Sequence, residues 1–309
     1  MTRHIAIIGA GLIGASWAAL FLSKGLRVTV SDPTQAALAA LPGFITTAWA
    51  DLAQLDDIAA APPFDALSTT QDIASACAQA DMVQECGPDR IAIKRQIVAE
   101  IETTLPADAI IASSTSSLMA SDIQVGARHP GRILVAHPMN PPHLVPLVEL
   151  VAGRATEPDC MARARAFYDG IGRVTVVVQK ERVGHLANRL TSALYREAVS
   201  LVAEGVATVA DVDRAIAHGP GLRWAFMGPH LTYHLGGGAG GYRHYLEHLG
   251  PTQVARWADQ TTPALTPDLI ETLVAGIADA TAGESPADLA RRRDTALVAL
   301  AKLKRDLGA

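Results

Sequence analysis

A glycine-rich turn near the start of the chain constrains its fold more than any other feature. The turn reads Gly9-Ala10-Gly11-Leu12-Ile13-Gly14 and follows the short β-branched run Ile5-Ala6-Ile7-Ile8. An apolar stretch from Leu12 to Leu22, long enough for a helix, continues from it. A strand, a tight turn and a helix are therefore predicted in succession. The uncharged run Ile5–Leu22 superficially resembles a membrane span, but its closely spaced glycines argue against one.

Each glycine of this turn has a separate physical purpose. In strand–turn–helix units with the pattern GxGxxG, the first glycine makes the turn and the second lets the backbone approach a pyrophosphate. The third lets the helix pack closely on the strand, and the helix N-terminus offers free N–H groups to the phosphates. The motif thus predicts a dinucleotide site that includes Gly9, Gly11, Leu12, Ile13 and Gly14.

An acidic residue indicates which dinucleotide binds. Asp32 lies roughly 20 residues past Gly14, at the end of a second predicted strand, Leu26–Val30. A carboxylate at this position accepts hydrogen bonds from the ribose hydroxyls of adenosine. Because it would repel a 2′-phosphate, the predicted cofactor is NAD rather than NADP. The alternative is a tight turn followed by a capping aspartate, with no ligand.

The pattern of apolar runs predicts an α/β fold followed by an all-helical region. Short apolar runs alternate with helical or polar segments in the first part of the chain, which is typical of a parallel sheet with helical crossovers. These runs are Met82-Val83, Ala109–Ala112, Ile133–Ala136, Val145–Val151 and Val174–Val178. Residues 34–80 are Ala-rich and are predicted to be helical.

After about Val183 the sequence contains only helical patterns. They include residues 186–202, 267–280 and 286–304, the last with Ser285 as its predicted N-cap. We therefore expect a Rossmann-type doubly wound sheet in residues 1–182 and an all-helical C-terminal domain in residues 183–309. The glycine-rich segment 236–241 is predicted to be a flexible loop between two helices.

Composition narrows the class of function. A chain of 309 residues and 32.4 kDa exceeds the usual size of one core, which favours two domains. The net charge is −5 and the sequence has no run of Lys and Arg, which excludes a typical nucleic-acid-binding protein. The widely spaced Cys77, Cys86 and Cys160 predict buried thiols in a reducing compartment. A soluble cytoplasmic protein is expected.

Two residues downstream have the chemistry that hydride transfer from an alcohol requires. Such a reaction needs a base for the hydroxyl proton, and histidine titrates near neutral pH. His137 terminates the predicted strand Ile133–Ala136, at the sheet edge where α/β proteins bind ligands. Glu149 lies in the apolar run Val145–Val151, where a carboxylate needs a polar partner. A Glu149–His137 hydrogen bond would fix the imidazole tautomer, although His143 is closer in the sequence.

Several motifs occur in the order found in the L-3-hydroxyacyl-CoA dehydrogenase family, which the chain resembles over nearly its whole length. They are Gly9–Gly14, Ser113-Ser114-Thr115-Ser116-Ser117, His137-Pro138-Met139-Asn140-Pro141-Pro142, Glu149 and Asn188-Arg189. The resemblance implies that His137 and Glu149 form the catalytic pair. It implies substrate-orienting roles for Ser116 and Asn188, through hydrogen bonds to the reacting oxygen. It also implies a homodimer formed largely through the helical domain.

The resemblance also implies three further cofactor contacts. Asp89 and Lys94 are expected on the ribose and nicotinamide side of NAD, with Asn140 near the carboxamide. Two positions depart from the family pattern. Asp89 stands where the family usually has glutamate, and His185 where it commonly has phenylalanine. The second change is close to Asn188 and is expected to alter the substrate pocket.

The branches of this family differ in substrate. The segments Ala136–Pro142 and Pro146–Val151 most resemble the lambda-crystallin or L-gulonate 3-dehydrogenase branch, so an L-gulonate-like 3-hydroxy acid is the first expectation. Gly221–Gly228 is shared in character with L-carnitine 3-dehydrogenases, and Leu231-Thr232-Tyr233 resembles them more, so L-carnitine is second. A 3-hydroxyacyl-CoA such as 3-hydroxybutyryl-CoA is third. A non-catalytic, crystallin-like NAD-binding protein is disfavoured by the intact catalytic set.

The helical region contains two candidate substrate contacts. Arg223 is a candidate for a substrate carboxylate, because a guanidinium matches a carboxylate bidentately. The alternative for Arg223 is a helix cap or an internal ion pair. Trp224 is a candidate cation–π partner for a trimethylammonium group, against the alternative of a core aromatic.

Four histidines have the spacing of metal ligands on a helix. They form the i, i+4 pairs His230/His234 and His244/His248. No acidic residue or cysteine completes a ligand set in the sequence pattern, and the proposed chemistry requires no metal. Polar helix faces without a metal are therefore expected.

Overall fold

A computed structural model describes residues 3–308, and the chain divides into two compact units. The sheet unit comprises the described residues up to Arg189 together with Asp294–Ala301. The helical unit comprises Leu190–Arg293 and the described residues from Lys302 onward. The predicted domain boundary near residue 182 stays a prediction, because compactness alone does not show which segments fold independently.

The sheet unit is built on an eight-stranded sheet with the order β3-β2-β1-β4-β5-β6-β7-β8. The strands are β1 His4–Ile8, β2 Arg27–Ser31, β3 Leu67–Thr70, β4 Met82–Glu85, β5 Ile110–Ser113, β6 Ile133–Pro138, β7 Leu147–Ala152 and β8 Val174–Val178. Neighbouring strands are parallel except β6 and β7. The strand order reverses between β1 and β4, and ligands of α/β proteins bind beyond the carboxyl ends at such a point. The predicted doubly wound fold is confirmed.

Helices cover both faces of this sheet. They are α1 Leu12–Ser23, α2 Gln35–Leu55, α3 Ile73–Cys77, α4 Ile91–Ile101, α5 Ala120–Ile123 and α6 Pro158–Gly170. The side chains of β1 alternate between two cores, as the two-residue period of a strand requires. Ile5 and Ile7 belong to the core that contains α1, α2 and α6, whereas Ala6 and Ile8 belong to the core that contains α3, α4 and α5.

Helix α2 has the length and apolar composition of a membrane-spanning helix. Core helices of soluble proteins pass the same test, and the buried side chains of α2, Leu41, Ile45 and Trp49 among them, belong to the first core of the sheet unit. The uncharged run Ile5–Leu22 is divided in the structure between β1 and α1.

The last part of the chain is helical, as predicted. Its helices are α7 Ala187–Ala203, α8 Val209–His218, α9 Pro220–Trp224, α10 Pro229–Gly236, α11 Gly241–Asp259, α12 Pro267–Ala280 and α13 Pro286–Asp306. Within residues 179–308 the structure has no strand. The predicted N-cap of α13 is confirmed, because Ser285 accepts a hydrogen bond from the Asp288 N–H at 3.1 Å.

Three local predictions need correction. Strand β3 lies inside segment 34–80, which was predicted to be helical; it is a polar edge strand, so it lacks the apolar run that marks a buried strand. Strand β7 is antiparallel to β6 because the loop 139–146 between them is too short for a crossover. Segment 236–241 lies between two helices as expected, but it contains the 3₁₀ turn Gly238–Gly240.

Candidate active site

The glycine turn after β1 has the geometry of a dinucleotide cradle. Gly9 has a left-handed φ of +108°, and a Cβ atom there would lie 2.7 Å from the carbonyl oxygen of Cys86. A Cβ atom on Gly14 would lie 1.9 Å from the Gly9 carbonyl oxygen. On Gly11, in contrast, it would meet no described atom within 4 Å. The first and third glycines are therefore required by the protein's own packing, and the second leaves space for a ligand.

The N-terminus of α1 is available to an anion. Among the described residues no side chain caps this helix, and its first turn carries no acidic residue. Asp32, which follows β2, accepts hydrogen bonds from the N–H groups of Ala10 and Thr34, both at 2.8 Å. These bonds hold its carboxylate beside the turn while each oxygen retains a further lone pair. The cradle thus fits the pyrophosphate and adenosine ribose of a dinucleotide.

A buried ion pair forms the wall next to this cradle. The Lys94 ammonium on α4 donates to both carboxylate oxygens of Glu85, at 3.0 and 2.8 Å, and to the Gly87 carbonyl at 3.1 Å. Lys94 and Glu85 are each 1% exposed. Removing either partner would leave a buried charge without its partner, which is costly. The sequence reasoning included Lys94 and missed Glu85, although an acid at the end of an apolar strand was a detectable signal.

Asp89 connects this wall to the serine-rich loop after β5. Its carboxylate accepts hydrogen bonds from the Thr115 hydroxyl, from the Ser116 N–H at 3.2 Å and from the Ser116 hydroxyl at 3.0 Å. The Lys94 ammonium lies 3.7 Å away. A cavity of about 190 Å³ is lined by these residues together with Ile13, Cys86, Gly87 and Ser114. The structure therefore brings Asp89, Lys94 and Ser116 to one cavity beside the glycine turn.

His137 and Glu149 face each other across two antiparallel strands. They are register partners on β6 and β7, and the His137 Nδ1 lies 2.7 Å from a Glu149 carboxylate oxygen. His137 is 5% and Glu149 1% exposed. The alternative partner, His143, is instead paired with Ser16 on α1, whose hydroxyl lies 2.7 Å from its Nδ1. The strand pairing, rather than proximity in the sequence, decides which histidine meets Glu149.

The second oxygen of Glu149 caps a turn that sequence reasoning did not foresee. It accepts hydrogen bonds from the N–H groups of Leu186 and Ala187, both at 2.8 Å, where α7 begins. Burial by itself raises the pKa of Glu149, but the hydrogen bonds from His137 and from these two N–H groups outweigh it and lower the pKa below the ordinary value. Glu149 therefore stays ionised and accepts the Nδ1 proton of His137.

The start of α7 also reaches the serine-rich loop. Gly184 and His185 both have left-handed backbone conformations, with φ of +77° and +49°. This tight turn presents the N–H groups that bind Glu149 and leads to Asn188, whose amide donates to the Ser116 carbonyl at 3.1 Å. Ser116, His137, Glu149 and Asn188 are thus linked within the sheet unit.

The remaining predicted residues lie outside this network. Asn140 is exposed in the loop after β6. Arg223 and Trp224 lie on α9 of the helical unit, and both are exposed. Within residues 3–308 Arg223 forms no ion pair. Trp224 is not a core aromatic, because it is 42% exposed.

The four paired histidines have partners other than a metal. His230 Nδ1 lies 2.9 Å from the Tyr242 hydroxyl, and His234 accepts the Tyr242 N–H at 3.1 Å. The rings of His244 and His248 are 4.0 Å apart. The described part of the chain contains no group of three or more His, Cys, Asp or Glu side chains that could hold a metal ion.

A dinucleotide cradle after β1 and an imidazole–carboxylate pair that includes the carboxyl end of β6 are the features of a dehydrogenase that oxidises an alcohol. Residues 4–182 match the NAD-binding domain of 3-hydroxyacyl-CoA dehydrogenase, and residues 184–269 match its C-terminal domain. The chain belongs to the 3-hydroxyacyl-CoA dehydrogenase family. It is an NAD-dependent enzyme that acts on a CH–OH group.

Relatives extend this assignment over nearly the whole chain. The L-carnitine dehydrogenase of Nocardiopsis dassonvillei is 44% identical, covering 97% of this chain and 91% of its own. The L-carnitine dehydrogenase of Streptomyces coelicolor is 42% identical, covering 99% and 96%. A solved structure of 5-formyl-3-hydroxy-2-methylpyridine 4-carboxylic acid 5-dehydrogenase, an NAD+-dependent dismutase, aligns with a TM-score of 0.84 at 32% identity, covering 98% of each chain.

Proposed function

We propose that this protein oxidises the 3-hydroxyl group of L-carnitine with NAD, which makes it an L-carnitine 3-dehydrogenase. The observation that carries the reaction is the buried His137–Glu149 pair, which the start of α7 links to the Ser116 loop. The substrate is supported by relatives of 42–44% identity that are named L-carnitine dehydrogenase. They favour the second substrate expectation over L-gulonate, which was the first. Membership of an enzyme family also disfavours a non-catalytic, crystallin-like role.

The proton is handled by His137. Because its Nδ1–H donates to the ionised Glu149, the lone pair of Nε2 is the proton acceptor. Nε2 takes the proton of the 3-hydroxyl as the C–O bond becomes a carbonyl, and Glu149 stabilises the resulting imidazolium. Bound NAD supplies the acceptor for the hydride that leaves the same carbon. Reduction of the ketone uses the same atoms in reverse.

The other site residues orient the two reactants. Ser116 and Asn188 are assigned to the substrate oxygen; the Ser116 hydroxyl, which donates its one proton to Asp89 in the structure, would turn that proton to the substrate. Gly9, Gly11, Leu12, Ile13, Gly14 and Asp32 are assigned to the pyrophosphate and adenosine ribose. Asp89, Lys94 and Asn140 are assigned to the nicotinamide half. The cavity that contains Asp89 and Lys94 supports the first two of these.

Two exposed residues of α9 are assigned to the charged ends of the substrate. Arg223 would bind the carboxylate, which its exposure and its lack of an ion pair within the described residues support. Trp224 would lie against the trimethylammonium group, which a half-exposed indole face can attract.

Initial rates of NADH formation on L-carnitine, D-carnitine, L-gulonate and 3-hydroxybutyryl-CoA test the substrate. We expect kcat/KM for L-carnitine to exceed the others by roughly 100-fold, the size of discrimination that specific polar contacts provide. The His137→Gln variant should lose at least roughly 100-fold in kcat while binding NAD normally. Arg223→Lys should raise KM for L-carnitine roughly tenfold without changing NAD affinity. A preference for L-gulonate or for the acyl-CoA would reject L-carnitine as the substrate.

We further infer a homodimer. The apolar face of α12 formed by Ile270, Val274 and Ile277 is 43%, 55% and 45% exposed, which a partner copy would cover. We propose residues 1–182 as the NAD-binding domain and residues 183–309 as the substrate and dimerisation domain. The three cysteines are free thiols, which supports a cytoplasmic location.

A further inference from the structure

His185 is a buried histidine at the active site that the proposed reaction does not use. It is 2% exposed and precedes α7 in a left-handed backbone conformation. Its Nε2 lies 3.0 Å from the carbonyl oxygen of Thr115. Because a carbonyl can only accept, Nε2 carries the proton of this hydrogen bond.

The same ring also packs on the catalytic histidine. The ring centroids of His185 and His137 are 5.3 Å apart, with an interplanar angle of 48°. Thr115, the hydrogen-bond partner of His185, immediately precedes Ser116 and is itself 2% exposed. One imidazole thus touches both the ring that takes the proton and the loop that bears the substrate-orienting hydroxyl.

The environment keeps His185 neutral. Burial lowers its pKa, and the charged or titratable groups that act on it are His137, Glu149 and Asp89. Its Nδ1 is buried and has no hydrogen-bond partner within the described part of the chain. A proton there would be a buried donor without an acceptor, so the tautomer with hydrogen on Nε2 is favoured.

We propose that His185 is a positioning residue, whose imidazole packs on the ring of His137 and fixes the Thr115 carbonyl, and through it the backbone of the neighbouring Ser116. The inference rests on the proposed function. A phenylalanine would supply the ring contact but leave a buried carbonyl without a donor. Glutamine would supply an N–H donor near the position of Nε2 without the aromatic ring. The two substitutions therefore separate the hydrogen bond from the packing.

Kinetics of His185→Phe and His185→Gln test this role. We expect His185→Phe to lower kcat for L-carnitine about tenfold, the effect of one lost hydrogen bond, with KM for NAD unchanged. His185→Gln should restore most of that loss. His129→Phe, the same change at an exposed position of the sheet unit, should behave like the wild type. A wild-type kcat for His185→Phe, or equal damage in both variants, would overturn the proposal.

A second measurement does not depend on activity. In ¹⁵N NMR spectra of labelled histidines, the resonances lost in His185→Phe should report a protonated Nε2 and an unprotonated Nδ1 at neutral pH. The same resonances should persist in His137→Gln. The opposite tautomer would refute the role of His185 even if the enzyme oxidises L-carnitine. If the wild type instead fails to oxidise any 3-hydroxy acid, the proposed function is refuted. The NMR spectra would still show which nitrogen of His185 carries the proton.

Discussion

The sheet unit and the helical unit bury their apolar side chains to very different extents. In the sheet unit, both faces of the sheet are covered by continuous cores, and Trp17, Phe21 and Tyr168 are fully buried. Among the described residues of the helical unit, the buried side chains are Val199, Ser200 and Tyr245. So little buried surface can hardly offset the conformational entropy of ordering the chain. The sheet unit thus holds the linked site residues with its own core, whereas the helical unit buries few side chains, as the proposed homodimer would explain.

Within the described residues, helix α1, which follows the glycine turn, begins without the side-chain cap that helices of both units carry; in the sheet unit Asp72 caps α3. Helices α8, α12 and α13 start with Thr208, Thr266 and Ser285, whose side chains accept hydrogen bonds from backbone N–H groups of the first turn. Helix α1 starts at Gly11, where no described side chain provides such a cap. Capping stabilises a helix, but it would occupy the groups that a phosphate needs. The helix proposed to bind the cofactor lacks this source of stability.

The largest expected effect separates packing from ligand binding in the glycine turn. Gly14→Ala should lower the free energy of unfolding by more than about 3 kcal/mol, because its Cβ would lie 1.9 Å from a backbone oxygen. Gly11→Ala should change the free energy of unfolding by less than about 1 kcal/mol, since its Cβ would meet no described protein atom within 4 Å. It should weaken NAD binding at least roughly tenfold, because the same Cβ would fill space proposed for the pyrophosphate. Urea unfolding and calorimetric titration with NAD measure both. Unchanged NAD affinity in Gly11→Ala would contradict the cradle.

The next effect concerns the uncovered face of the helical unit. Val274→Glu should raise the dissociation constant of the proposed dimer roughly 100-fold, because it would bury an unpaired charge in the interface. Val125→Glu is the matched control, since Val125 is 52% exposed in the sheet unit and should not affect assembly. Sedimentation velocity across a dilution series measures both. A monomeric wild type, or equal dissociation of the two variants, would contradict the proposal that the exposed face of α12 forms the dimer interface.

A smaller effect concerns the acid sensitivity of the sheet unit. Because the pKa of Glu149 is lowered from 4.5 in the folded chain, its ionised form stabilises the fold above pH 4.5. That contribution is lost as the pH falls through the folded pKa. Glu149→Gln should therefore be less stable than the wild type by about 1–3 kcal/mol at neutral pH, and the difference should shrink in acid. Urea unfolding from about pH 7 to about pH 3 measures it. A difference independent of pH would refute the ionised carboxylate.

Much of the fold and part of the site were predictable because local chemistry determines them. The glycine turn and Asp32 depend on neighbouring residues, and helix starts such as Ser285 depend on one side chain. Both NAD and the family followed from these motifs and their order, and the comparisons confirm them. The edge strand β3 was missed because an exposed polar strand has no apolar signature.

Partnerships across the sheet were harder to predict. Whether Glu149 binds His137 or His143 depends on the antiparallel register of β6 and β7, which the sequence does not display. The hydrogen bonds from α7 to Glu149 and from His185 to Thr115 join residues far apart in the chain. The catalytic and binding roles assigned to these residues stay predictions.

The smallest effect compares a helix cap in each unit. Thr208→Ala removes the hydroxyl that accepts the Asp211 N–H at 3.1 Å, and should destabilise the start of α8 by about 1 kcal/mol. Asp72→Ala removes the matching cap of α3 in the sheet unit, where the carboxylate accepts from the Ser75 N–H at 3.0 Å. Hydrogen exchange measured by mass spectrometry should show faster exchange only in the unit that carries the substitution, while Thr208→Ser restores protection. Faster exchange in both units from either change would mean that the two units unfold together. The difference in buried side chains would then not make one unit less stable than the other.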